Sequence, residues 1–389
     1  MNVIPHKQAQ PAQPAPPGRP SPSPSPAPAP AQATGGAGRS CPLHYRYRPA
    51  VFDSAAAFQC EALYVVGGLY GNEQALAAVL QLFEREPLPL GRKRLVFNGD
   101  FNWFNITPDA FERINRTVLG HHATRGNVET ELCTNDAWDG LDAGCGCAYP
   151  DWVGNDTVSW SNQIMHSLRA TAQGQAAIKA QLAALPMWLR VDVGEATRSV
   201  QRVAVVHGDA QSLAGWGFAQ EVIAANPEQL SDWFDAAQVD VFASSHTCLP
   251  VFYRQWGQGR GSRPGAGPGA GAVPLSLPLR AHRGTMQTVL NNGAAGMPNA
   301  RATATQPGHG IVTRIATRPF DGPQRLFGFT QGGLHMDALA VVYDHRQFAS
   351  DFLAQWPPGS AAHRSYWQRI DQGPGFDLQS AVMDHCDGA

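Results

Sequence analysis

Four residues of this chain have side chains suited to a divalent metal, and each lies in a turn after a strand-like run. Asp100 ends LVFNGD (95–100), and Asn127 follows Gly126 in the turn of HHATRGNVET (121–130). His207 follows VAVV (203–206), and His246 comes shortly after VDVFA (239–243). A carboxylate, an amide oxygen and two imidazoles suit Mn, Fe, Zn, Ni or Co better than Ca or a thiolate-selected metal. Strand-end loops on one edge of an α/β sheet are where such folds bind ligands. An ion there would polarise a phosphoryl oxygen and lower the pKa of bound water, as a metal hydrolase requires. Singly, each residue has a plainer reading. Asp100 could cap a turn, Asn127 could take a left-handed conformation, and the histidines could be satisfied core groups. Together and in this order, they are read as metal ligands.

Apolar periodicity predicts the elements that position them. ALYVV (62–66) reads as a buried strand, GGLYGN (67–72) as a Gly-rich turn, and Glu73–Arg85 as a helix through Leu76, Val79, Leu80 and Phe83. Leu95–Phe97 is the next strand, and Thr107-Pro108 starts a helix. This alternation predicts an α/β fold with a largely parallel sheet. Ser159–Leu185 reads as one long helix ending at Pro186, and Pro227–Ala237 as a short one. Thr288–Leu290, Gly310–Ile315, Arg325–Phe329 and Leu339–Tyr343 read as a second strand set, antiparallel or mixed. Phe348–Trp356 and Ser365–Ile370 read as helices.

The chain has 389 residues, a formal charge of −2 and 15% charged residues. That is below the usual quarter and carries no basic excess, so general nucleic-acid binding is not indicated. No apolar run approaches the ~18 residues that cross a bilayer. The N-terminus lacks the apolar core of a signal peptide, so a cytoplasmic protein is expected. Residues 1–40 form a Pro/Ala-rich tail expected to be disordered. Residues 41–389 are read as a single domain with insertions at about 131–155 and 256–273. Seven cysteines, an odd number in a long chain, argue against a disulfide framework. Cys145-Gly146-Cys147 with Cys133 lacks the second pair that a structural zinc needs, and is read as a loop near the site entrance.

In order and spacing these motifs resemble the calcineurin-like metallophosphoesterase family. Its pattern runs D-x-H, G-D-x-x-D, G-N-H-[ED], a lone His after a strand, and G-H-x-H. The matching stretches are GGLYGN (67–72), GDFNW (99–103), GNVE (126–129), HGD (207–209) and SHTC (245–248). NNGAAGMPN (291–299) resembles the family's N-x-G-S-x-G-x-P-R turn, and the resemblance covers about residues 62–315. It implies a four-layer α/β/β/α sandwich and metal-dependent hydrolysis of a phosphomonoester or phosphodiester. It also implies a divalent metal cofactor and a small-molecule or nucleotide-like phosphoester partner.

The departures from the family fall on one side. Carried over residue by residue, Asp100, Asn127, His207 and His246 keep the full ligand set of one family metal. The other has lost its private ligands, with Gly68 for the Asp, Tyr70 for the first His and Cys248 for the last. Loss confined to one site is read as a centre rebuilt for one ion. Val128 replaces the His that assists the reaction, and Trp103 the last Asp of the second motif. His309 (in PGHGIVTR) and Tyr70 are the expected catalytic groups, with Arg125, His121 and His122 as further candidates. Asp209 is expected either to orient His207 or to hold its turn. Two alternatives accompany this reading. One is a weak or inactive, metal-stabilised binding module; the other is a two-ion enzyme with Tyr70 and Cys248 as ligands.

Overall fold

The computed structural model describes residues 36–39, 41–133, 143–195, 200–257, 284–301 and 308–386. Residues 1–35, most of the 256–273 insertion and the middle of the 131–155 insertion lie outside the described residues. The strands are β1 (Phe58–Cys60), β2 (Ala62–Val66), β3 (Lys93–Asn98), β4 (His122–Thr124), β5 (Trp188–Val193), β6 (Gln201–Val206) and β7 (Val241–Ser244). They continue with β8 (Pro250–Trp256), β9 (Met286–Asn292), β10 (Gly310–Ala316), β11 (Arg325–Gln331), β12 (Leu334–Val341) and β13 (Val382–Asp384). They form a sheet of order β1-β5-β6-β7-β9-β8-β13 and a second of order β11-β12-β10-β2-β3-β4.

Alternation along each strand decides which layer it faces. Leu63 and Val65 of β2 meet Val203 and Val205 of β6 in the core between the sheets, joined by Val96, Val191, Val241, Leu290, Ile311 and Ile315. The intervening Tyr64 and Val66 face outward, onto helices α1 (Glu73–Glu84), α2 (Pro108–Val118) and, beyond α3 (Asn127–Cys133), α4 (Asn155–Gln173). The opposite sheet turns Ala204, Val206 and Phe242 outward, onto Leu230, Trp233 and Phe234 of the helix Pro227–Ala237 and onto Phe52. The layers therefore run helix, sheet, sheet, helix: a four-layer α/β/β/α sandwich. No helix among the described residues is long and apolar enough to cross a membrane.

Strand directions refine the expectation. β2, β3 and β4 are parallel, as are β6, β7 and β9, while β10 runs antiparallel to β2 and β12. The segment expected as one long helix is two, Asn155–Gln173 and Ala176–Ala183, broken at Gly174, whose helix propensity is poor. β5 and β8 were not expected. In β5, Arg190 and Asp192 interrupt the apolar run, and β8 opens on Pro250.

One buried polar network ties the helix-covered sheet together. Arg314 (β10) donates from Nε to Glu86 Oε2 at 2.7 Å and from Nη1 to Asp337 Oδ2 at 3.2 Å. The Tyr64 hydroxyl donates to the same Glu86 oxygen at 2.9 Å. All three charged side chains are almost wholly buried. Arg314→Ala leaves the buried Glu86 carboxylate without its ion-pair partner and Asp337 with Arg325 alone, at 2.7 Å. It is expected to cost about 3–5 kcal/mol, more than a buried Ile→Val at about 0.5–1.5 kcal/mol. The check is a lower urea midpoint at an unchanged m-value.

Candidate metal centre

The site lies where the C-terminal ends of β3, β4, β6 and β7 meet. Asp100 follows β3, Asn127 opens α3 just after β4, His207 follows β6 and His246 follows β7. Asn98, the last residue of β3, bolts the two sheets together there, its amide donating to Val206 O at 2.7 Å. Glu129 ties two of the turns. Its carboxylate accepts from Asp100 N (2.8 Å), Phe101 N (3.1 Å) and Gly126 N (3.1 Å). The turns approach so closely that only glycine fits. A Cβ on Gly126 would lie 2.3 Å from Asp100 Oδ1, and one on Gly99 2.5 Å from Gly126 N. Asp100 has φ 54°, Tyr70 φ 54° and Cys248 φ 63°. Non-glycine residues in the left-handed region cost of order 1–3 kcal/mol each, and such strain gathers at functional sites.

The four expected donors converge on one point. His207 Nε2 lies 3.1 Å from Asn127 Oδ1, 3.1 Å from His246 Nδ1 and 3.3 Å from Asp100 Oδ2. Asp100, His207 and His246 form the one group of three or more His, Cys, Asp or Glu side chains among the described residues with ligand atoms all within 4.8 Å. They are 6, 1 and 5% exposed, and Asn127 1%.

Backbone carbonyls fix which atom each donor presents. His207 Nδ1 donates to Asn98 O at 2.9 Å, so its Nε2 carries the lone pair in the neutral ring. His246 Nε2 donates to Cys147 O at 3.2 Å, leaving Nδ1 as its lone-pair atom. The Asn127 amide donates to Cys145 O at 2.9 Å, aiming Oδ1 inward. Four lone-pair atoms therefore face one another with no hydrogen-bond donor of their own among them. Such a set repels itself unless a cation sits at its centre, and its chemistry fits a divalent ion held by second partners on every ligand.

Without the ion, a proton does that work. Burial pushes the Asp100 carboxyl up, but the facing His207 charge outweighs it and holds it below its ordinary value. Burial lowers His207, but the Asp100 carboxylate outweighs it and holds the ring above its usual range. Burial and then the His207 charge push His246 down to about 3. In the metal-free centre the His207 ring, facing Asp100, thus keeps its proton to a higher pH than an isolated imidazole. Ion binding is expected to release that proton, so affinity falls as pH drops through the raised His207 value. Calorimetry in buffers of different ionisation enthalpy counts the protons.

The cavity over the donors is small, about 40 Å³, and is lined by Tyr70, Trp103, Val128, Cys147, Tyr149, Trp216, Cys248 and Tyr366 besides three of the ligands. The Tyr70 hydroxyl and Cys248 Sγ are 2.9 Å apart. The Tyr70 ring lies where a side chain on Gly68 would project, since a Cβ there would meet the ring and hydroxyl at 2.8 Å. Burial raises the Tyr70 phenol and the Cys248 thiol, so both keep their protons.

Other candidates lie elsewhere. His309 does not line the cavity. His122 pairs across from Val96, at the far end of β4 from Asn127, and stacks on Phe58; His121 packs near Phe83 and Phe97. Arg125 donates to Ala183 O. Asp209 holds its turn, accepting from Gln211 N, Ser212 N and Gly217 N, and Asn98 O is what orients His207. Cys133 donates to Lys179 O, apart from Cys145 and Cys147, whose carbonyls brace the ligands. Asn98, Glu129 and Trp216 join the site without having been expected as site residues. A buried Asn and Glu beside glycine turns was the available signal for the first two.

No protein-family model and no curated protein matches the sequence. Among solved structures, a metallophosphoesterase from Sphaerobacter thermophilus is similar at 15% identity and a TM-score of 0.44, over 80% of this chain and 100% of that one. Vps29 from Chaetomium thermophilum is similar at 11% identity and a TM-score of 0.30, over 73% and 97%. A predicted phosphoesterase from Streptococcus pneumoniae TIGR4 is similar at 14% identity and a TM-score of 0.29, over 73% and 91%. The solved structures to which this chain is similar thus include metallophosphoesterases, the family that its motif order resembles.

Proposed function

We propose that this protein hydrolyses phosphate esters with one divalent ion held by Asp100, Asn127, His207 and His246. The observation that carries the reading is the convergence of four lone-pair atoms whose remaining polar atoms are committed elsewhere. A bound ion would polarise the phosphoryl oxygen and acidify water. The chain's own residues do the rest. Asn98 O, Cys145 O and Cys147 O keep the ligands aimed, and the ring wall keeps bulk water out. Tyr70 stays a protonated phenol beside Asp100, so it serves as a hydrogen-bond donor to a phosphoryl or leaving oxygen rather than as a base. His309 is given no step.

The test is a panel of phosphomonoesters and phosphodiesters on metal-reconstituted protein. Tyr70→Phe is expected to keep the ion and lose about 10²-fold in kcat, the size of one preorganised donor. Turnover unchanged in Tyr70→Phe would remove that role.

One observation favours the binding-module reading. A cavity of about 40 Å³ holds an ion and roughly two waters, far below the ~300 Å³ of ordinary ligand pockets. A phosphoester reaches the ion only if a ring of that wall other than the hydrogen-bonded Trp216 moves. One equivalent of metal with no turnover above a His246→Ala control would favour the module.

A further inference from the structure

Rings rather than charges wall the cavity above the metal donors. Among the described residues lining it are Trp103, Tyr149, Trp216 and Tyr366, and neither Lys nor Arg. Trp216 carries this wall to the surface. Its ring centroid stands 5.4 Å from that of His246 and 6.3 Å from that of Trp152, edge to face both times. Trp152 is 63% exposed.

A single exposed apolar side chain on a loose loop would mean little. This loop is held. Arg39 donates to Pro150 O at 2.9 Å and Val153 O at 2.6 Å, on either side of Trp152, and to Asn155 Oδ1 at 2.7 Å. Trp216 is held as well. Its indole N–H donates to Cys147 O at 3.0 Å, the carbonyl that also aims His246, and Asp209 pins Gly217 beside it. The loop backbone that carries Trp152 and the indole of Trp216 are thus held before any ligand arrives, which lowers the ordering cost of binding.

We propose that Trp152, with Trp216 perpendicular beside it, forms the platform for the planar, uncharged organic group of the phosphoester, an aryl ring or a nucleobase, while its phosphate enters the metal cavity. This inference rests on the phosphoesterase reading and adds a substrate class to it. The platform is continuous with the cavity through Trp216. Its π faces suit a flat group of any hydrogen-bonding pattern, because every base offers a stacking face. A short alkyl ester would leave Trp152 in water.

Calorimetric binding of non-hydrolysable phosphonates to the full-length, Mn²⁺-loaded protein tests this without relying on turnover. Phenylphosphonate is expected to bind about tenfold tighter than methylphosphonate, the effect of one aromatic stacking contact. Trp152→Ala is expected to remove most of that preference, and Trp152→Phe to restore it. Adenosine 5′-monophosphate as a competitor separates a nucleobase from a simple ring, and either one ranking above methylphosphonate supports the platform. Equal binding of all three ligands, or a preference that survives Trp152→Ala, overturns the platform alone. If none of them binds, the phosphoesterase reading falls with it.

Discussion

Asp100→Ala is expected to purify with less than about a tenth of an equivalent of metal and to lose at least ~10³-fold in phosphoester turnover. Two separate losses drive this. Asp100 is the only anionic side chain among the four ligands, so its removal leaves three neutral donors that attract a divalent ion far less. The carboxylate also answers the raised His207 ring, which without it keeps only the weaker influence of Glu129. The ring should then fall toward the neutral form in the metal-free protein, and an NMR titration of His207 would show its pKa dropping. The fold should survive, because Asp100 accepts only one backbone bond, from Val128 N at 3.2 Å. If Asp100→Ala keeps its ion, the ligand assignment is wrong.

Glu129→Ala is expected to act on the same centre through stability. The buried carboxylate accepts three backbone N–H groups from two turns, and the Asn102 amide at 3.3 Å. Each buried donor left unpaired costs about 1–3 kcal/mol, so the loss should reach about 3–6 kcal/mol, a large part of a domain's stability. Glu129→Gln keeps one acceptor oxygen but turns an NH₂ toward the remaining donors, so it should fall between the two. Thermal melts of the three proteins check the order. A melting temperature for Glu129→Ala equal to that of the unmodified protein would show that water replaces the carboxylate.

These two residues show what the sequence displays and what it hides. Asp100, His207 and His246 are legible because each sits just past an apolar strand, whereas Asn127 follows the short strand His122–Thr124 and is legible from its Gly-Asn turn and its place in the motif order. Glu129 lies within three residues of Gly126, yet its main partners are Asp100 N and Phe101 N, 29 and 28 positions away. Asn98 likewise reaches Val206 O, 108 positions away. Such roles exist only once the two sheets are stacked. The bracing by Cys145 and Cys147 is less visible still, because carbonyl oxygens do the work and the side chains are incidental. The four layers are what the family resemblance implies; Ala62–Val66 is apolar throughout, so its residues do not themselves say which face meets which layer. β5 and β8 escape because Arg190, Asp192 and Pro250 break the pattern where those strands begin or are only half buried.

The central claim is a one-ion centre, and elemental analysis of freshly purified protein tests it most directly. The account predicts one equivalent of Mn, Fe, Zn, Ni or Co per chain, lost in Asp100→Ala and His207→Ala. Two equivalents would contradict it by placing an ion at Tyr70 and Cys248, and metal content indifferent to both substitutions would place the ion somewhere else altogether.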